Sequence, residues 1–294
     1  MSIVNSIAQV WAAHILRAYD TRLVYAGSGV ANRNYQGQIL TGGDTVRITT
    51  LTDPVISTYE RNKNIAEPEA LSDAQLTLVI DQEKTFNYAI DDVDLRQTAV
   101  TDIEETAAHR AGYQLAKTVD TFLAKKAYEE ADAGNAVGSD GTPKKGMKAE
   151  ELYKVLVELG VKLNESDTPE EGRFAVLPPF GVGALMQDPR FVSYGTAANR
   201  ANLEKGMMVA PNGLVGQVAG LNIYQSNSVP NTSAAKYKVI AGIPDALAAA
   251  EQLAESVNFR PERRFANGYK GLLVYGGKVV RPSNLAVATI NNEA

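Results

Sequence analysis

The chain has no cysteine, two histidines and one tryptophan among its 294 residues. Without a thiol there is no disulfide framework, no thiolate-ligated metal and no cysteine nucleophile. His14 and His109 lie far apart on two predicted helices, and they read as one packing and one solvent-edge histidine rather than a shared site. Cations are also in the minority: 29 Lys and Arg against 34 Asp and Glu leave a formal charge of −5. That balance argues against a basic face tracking a nucleic-acid backbone, but not against a container that holds nucleic acid without adhering to it. No apolar run approaches the roughly 18 residues of a membrane-spanning helix. The first residues, MSIVNSIAQVWAAHILRAYD, lack the basic leader of a secretory signal. The expectation is a protein made in a cytoplasm, with no membrane partner.

Motifs that carry chemistry are equally scarce. GSGVAN, residues 27–32, is half of a dinucleotide fingerprint, with Asn32 where a third glycine belongs and no helix following. It reads as a turn. GTPKKGMK, residues 141–148, places Met147 where a phosphate loop needs lysine and Lys148 where it needs Ser or Thr, so it reads as a linker. Asp91, Asp92 and Asp94 lack the spacing of a calcium loop and read as solubilising acids at a strand end. The sequence points to no catalytic, cofactor-binding or metal site.

What is present is a long one-sided ribbon. In AQLTLVIDQEKTFNYAID, residues 74–91, the apolar Leu76, Leu78, Ile80, Phe86, Tyr88 and Ile90 all share one parity, interrupted only by Gln82 and Lys84. At ~3.3 Å per residue one strand of this length would span about 50 Å, against a usual strand of roughly 5–6 residues. TVRITTLT, residues 45–52, predicts its hairpin partner. The loop between them, bounded by Pro54 and Pro68, carries Glu60, Arg61, Lys63, Glu67 and Glu69 and reads as a solvated tip.

The remaining pattern alternates helices and strands. An amphipathic helix is expected over residues 6–19. A long one is expected over 101–131, with a capping box at Thr101 and Glu104, an apolar stripe through Leu115, Val119 and Leu123, and a stop at Gly134. A turn-rich linker at 135–148 precedes a helix over 149–159, ended by Gly160, and a strand at RFAVLPP. FGVGALMQDP reads as a short helix; GLVGQVAGLNIYQSNSVP and KYKVIAGIP read as strands. PDALAAAEQLAES, residues 244–256, reads as an alanine-rich helix. The tail returns to extended structure.

This order of elements resembles the Hong Kong 97 capsid fold of tailed-phage major capsid proteins, over essentially the whole chain. GQVAGLNIYQSNSVP, residues 216–230, and GYKGLLVYGGKVVRPSNLAV, residues 268–287, are similar to segments of the Salmonella-phage-coat-like branch. The resemblance implies an α+β chain: N-terminal helix and arm (1–40), extended β-hairpin loop (41–94), peripheral domain with a spine helix (95–140 and 254–294) and α/β axial domain (141–253). It implies self-assembly, as pentamers and hexamers of one icosahedral shell, around phage double-stranded DNA held without sequence specificity. The virion is the expected location, with assembly in the host bacterial cytoplasm. Neither a large inserted β-domain nor a long leader of the built-in scaffold kind is seen. A separate scaffolding protein and a portal are therefore the expected assembly partners, with room for a decoration protein outside. The hairpin tip becomes the expected inter-subunit contact, through Glu60, Arg61, Lys63, Glu67 and Glu69. Some relatives also join a loop lysine to a neighbour's asparagine; Lys63 with Asn267 or Asn284 is the pair on offer, without an identifiable assisting acid. An encapsulin-like compartment shell is the alternative, and an α/β enzyme or small-molecule binder a more distant one.

Overall fold

Phe174 and Val176 point to one side of a short strand, Ala175 and Leu177 to the other, and both sides are buried. A sheet with two covered faces follows from that pattern. The computed structural model describes residues 23–34, 45–51, 73–97, 103–187, 213–233 and 235–292, with residues 56, 58, 59, 61, 62 and 64 of the hairpin tip. The helix expected over 6–19, and Thr101 of the expected capping box, lie outside the described residues.

The hairpin is present. β1 (Thr45–Leu51) and β2 (Asp73–Val79) pair antiparallel from Thr45 opposite Val79 to Leu51 opposite Asp73, forming a two-stranded ribbon. The expected single strand over 74–91 is divided, however. It breaks at Ile80 and Asp81, and β3 (Gln82–Asp91) joins a different sheet. The parity survives the break: Leu78 of β2 and Ile80 just beyond it are buried, and Phe86, Tyr88 and Ile90 are partly buried on one side of β3.

A short helix, α1 (Asp92–Gln97), leads to α2 (Ile103–Glu129), the expected long helix, with Ala108, Leu115, Val119, Leu123 and Ala127 buried along it. At about 1.5 Å per residue it runs roughly 40 Å. It ends before Gly134, which lies in a 3₁₀ turn capped by Asp132. β4 (Ala136–Val137) and β5 (Lys144–Lys145) are short pieces in the linker. α3 (Ala149–Glu165) passes through Gly160 instead of stopping there. A mid-helix glycine costs roughly 0.5–1 kcal/mol. Burial of Leu159 and Leu163 on either side of it outweighs that, each worth about 1.5–3 kcal/mol. β6 (Phe174–Leu177) stops at Pro178, and α4 (Pro179–Met186) begins on Pro179.

β7 (Leu214–Val218) and β8 (Leu221–Gln225) form a tight hairpin whose two turn residues, Ala219 and Gly220, both have positive φ (50° and 78°). That is the backbone of a type I′ turn. β9 (Asn231–Ser233) and β10 (Lys236–Gly242) follow.

The alanine-rich segment corrects the sequence reading most. Residues Pro244–Ala246 make one 3₁₀ turn, and β11 (Leu247–Phe259) is a strand of 13 residues where a helix is expected. Leu247 and Ala249 face the core around α2, while Ala248 and Ala250 face the hairpin root. A strand covered on both faces at close range accepts little beyond a methyl group, and packing overrides alanine's helix propensity. β12 (Ala266–Val279) pairs with β11 on one edge and β3 on the other, giving a three-stranded sheet against α2.

The last strand, β13 (Leu285–Asn291), pairs with β10 in a mixed eight-stranded sheet of order β4-β13-β10-β6-β8-β7, with β5 and β9 attached beside it. α3 and α4 cover one face through Leu152, Leu156 and Leu185. α2 and the segment 23–31 cover the other.

Candidate assembly surface

Two adjacent glycines of β12 sit at close approaches, Gly276 to the ribbon root and Gly277 to the long helix. A Cβ on Gly276 would lie 2.4 Å from the carbonyl oxygen of Val79 and 2.9 Å from Cα of Ile80. A Cβ on Gly277, on the opposite face, would lie 2.3 Å from Cδ2 of Leu123 in α2. The β3–β12 pairing reaches Tyr275 opposite Gln82, and at the next residue the chain crosses over β12 and leaves as β2. At Gly276 the neighbour is backbone and only glycine admits the approach, whereas at Gly277 it is the end of a leucine side chain. Ile48, Leu78 and Ile80 then pack on Ala248 and Ala250. The apolar face of the ribbon root is thus buried within its own chain, and only the part beyond it projects.

At the far end, Ile56 is 95% exposed and Tyr59 67%. Arg61 is exposed in a turn beside Asn62, whose φ is 65°. Glu60, Lys63, Glu67 and Glu69 lie outside the described residues. Sequence reasoning points to the charges and misses Ile56 and Tyr59, because Val55, Ile65 and Leu71 share the same loop and nothing local sets those two apart. Of the cross-link candidates, Lys63 is again outside the described residues. Asn284 is buried and accepts from Thr168 at 3.4 Å, and Asn267 donates to Glu104 at 3.3 Å.

A second projection lies between β11 and β12. Phe265 is 82% exposed, while its carbonyl accepts the Asp92 N–H at 2.9 Å and Arg260 bonds the Asp92 carboxylate. Asp91 caps the N–H of Val93 at 2.9 Å. Two of the three acids are therefore engaged in local ties, and among the described residues no His, Cys, Asp and Glu side chains cluster as a metal site. His109 lies on the exposed side of α2, and His14 is outside the described residues.

Buried polar groups act as ties between elements. Lys238 of β10 donates to Asp140 at 2.6 Å and to Thr289 of β13 at 2.9 Å, with its ammonium 5.1 Å from the centroid of Tyr128 in α2. That ammonium holds the Asp140 carboxyl below the usual range. Arg173 spans the end of α3, donating to Asn164 at 2.7 Å, to the Pro169 carbonyl at 2.8 Å and to the Thr168 carbonyl. Asp120 accepts three backbone N–H groups, and burial pushes its carboxyl up to about 7 against them. The arrangement joins helix, sheets and N-terminal segment into one body and leaves a ribbon and a turn projecting from it.

A projecting hairpin, a long helix between a small sheet and a larger one, and two further helices on the larger sheet's other face are the arrangement of a shell-building subunit. The phage capsid protein family model matches residues 74–288, and the chain belongs to that family. Its members of the Hong Kong 97 type are the major capsid proteins that build icosahedral heads. A protein of Mycobacterium phage Che8 shares 26% identity, over 91% of each chain, with a TM-score of 0.68. The capsid of Ralstonia phage GP4 shares the fold at a TM-score of 0.65 and 13% identity, covering 94% of this chain and 90% of that one. The SrpI encapsulin of Synechococcus elongatus shares it at 0.53 and 12% identity, covering 85% and 82%. No curated protein sequence matches the chain.

Proposed function

We propose that copies of this chain close into pentamers and hexamers of one head shell around phage double-stranded DNA, and that the role is structural rather than catalytic. The observation that carries this reading is the hairpin: its root is locked by Gly276, while Ile56 and Tyr59 at its tip are exposed on a body that already has its core. Apolar side chains exposed at a hairpin tip are well placed to bury against a second copy, and symmetry repeats each such contact throughout a shell. Glu60, Arg61, Lys63, Glu67 and Glu69 supply charge around them to select register and partner.

In this reading the three-stranded sheet with α2 is the peripheral domain, the eight-stranded sheet is the axial domain, and β1–β2 is the extended loop. Assembly takes place in the host cytoplasm with a separate scaffolding protein and a portal, leaving room outside for a decoration protein. DNA is held without sequence readout, in keeping with a net charge of −5.

Electron microscopy of the purified, co-expressed protein tests the shell. Closed icosahedral particles are expected, and a monodisperse monomer under all conditions contradicts it. Particle contents separate the phage shell from an encapsulin-like compartment: protein cargo in place of DNA favours the latter.

A further inference from the structure

The three-stranded sheet is used at both ends. β3 pairs with β12 from Gln82 opposite Tyr275 to Asp91 opposite Ala266, and the ribbon leaves at the first of these. The second lies about 30 Å away at ~3.3 Å per residue. There the chain forms α1 on one strand and the β11–β12 turn, residues 260–265, on the next. The two pieces are tied together: the Phe265 carbonyl accepts from the Asp92 N–H at 2.9 Å, and Arg260 bonds the Asp92 carboxylate.

Tied in this way, the pair presents apolar side chains to water. Phe265 is 82% exposed, and Val93 of α1 is 54% exposed. Charge is divided between the pieces. Residues 91–97 carry three acids and one arginine, and residues 260–265 carry three arginines and one acid. Arg260 and Asp92 pair within the chain. Asp94, Glu262, Arg263 and Arg264 are exposed and make no ion pair among the described residues. An aromatic side chain among unpaired arginines has the composition of an interface centre.

The balance of charge selects the partner. A polyanion would meet the acids of α1 as well as the arginines, and a basic partner would meet the arginines. An acidic strip beside a basic one, in a patch without net charge, is complementary to a second copy of itself. We propose that this end of the sheet is a second contact between copies of the chain, in which Phe265, Arg263 and Arg264 of one subunit bury against Val93 and Asp94 of another.

This contact rests on the shell reading and adds to it. One head-to-tail contact, such as that of the hairpin tip, closes a ring; joining rings into a shell needs a contact elsewhere on the subunit. The ribbon and this patch leave opposite ends of one sheet, so they can reach different neighbours.

Charge reversal in the full-length chain tests the contact. Sedimentation and electron microscopy compare the wild type with Arg263→Glu, Arg264→Glu, on material shown by circular dichroism to be folded. Closed particles should be lost and separate pentamers and hexamers should remain. Adding Asp94→Arg should restore closed particles, because opposite charges again face each other. Normal shells from the reversed chain overturn the contact and leave the shell reading intact, whereas a wild type that stays monomeric overturns both. Monomers in place of rings would put the patch inside the ring and overturn its role as a second contact. No recovery with Asp94→Arg overturns the pairing of the turn with α1. If charge reversal unfolds the chain, Phe265→Ser decides: rings without shells are expected, and wild-type particle yield overturns the proposal.

Discussion

Gly276 lies beneath Val79 so closely that a methyl group on its Cα would sit 2.4 Å from the Val79 carbonyl oxygen. The neighbour is backbone, which cannot rotate away, so the contact fixes where the ribbon leaves the body. Gly276→Ala should displace the ribbon root and cost about 1–3 kcal/mol as overpacking. Urea unfolding measures that cost, and particle yield should fall with it. A variant of unchanged midpoint and unchanged yield would show that the root yields freely.

α2 carries the packing of both sheets. Leu115→Pro removes a hydrogen bond and places a ring against the preceding turn, at a cost of about 3 kcal/mol or more. Insoluble or unassembled protein is expected. Normal particles from this variant would mean that the helix tolerates a break beside Leu115.

The long helix and the hairpin were legible in the sequence because each has an unambiguous period: Leu115, Val119 and Leu123 recur at helical spacing, and Leu76, Leu78 and Ile80 alternate. β11 was not legible. Ala248, Ala249 and Ala250 carry no periodic contrast, and what makes them a strand is β12 beside them and the two covered faces, neither of which is local. The break at Ile80 and Asp81 was hidden for a related reason: its cause, Gly276, lies far away in the chain. At the assembly surface, the charged tip drew attention through composition, whereas Ile56 and Tyr59 gain meaning only once their exposure is known.

The Lys238–Asp140 tie separates two kinds of substitution. Asp140→Ala leaves the buried Lys238 ammonium with Thr289 and the Tyr128 ring alone, and should lower the unfolding temperature because a buried group is stripped of a partner. Lys238→Met removes the buried charge and leaves Asp140 half-exposed to water, so it should cost less. Thermal unfolding of the two variants in one buffer measures the order; the reverse order would contradict this account of the tie.

The most direct test of the central claim is assembly by a chain whose hairpin tip has been shortened. Replacing residues 59–69 with a Gly-Ser bridge removes Tyr59, Glu60, Arg61, Lys63, Glu67 and Glu69, while Ile48, Leu78 and Ile80 remain on Ala248 and Ala250. Loop shortening of this kind costs little in chain entropy. Sedimentation, on material shown by circular dichroism to be folded, should find soluble subunits or fragile, aberrant particles in place of shells. Normal, stable shells from the shortened chain would contradict the claim that the tip holds one subunit to the next.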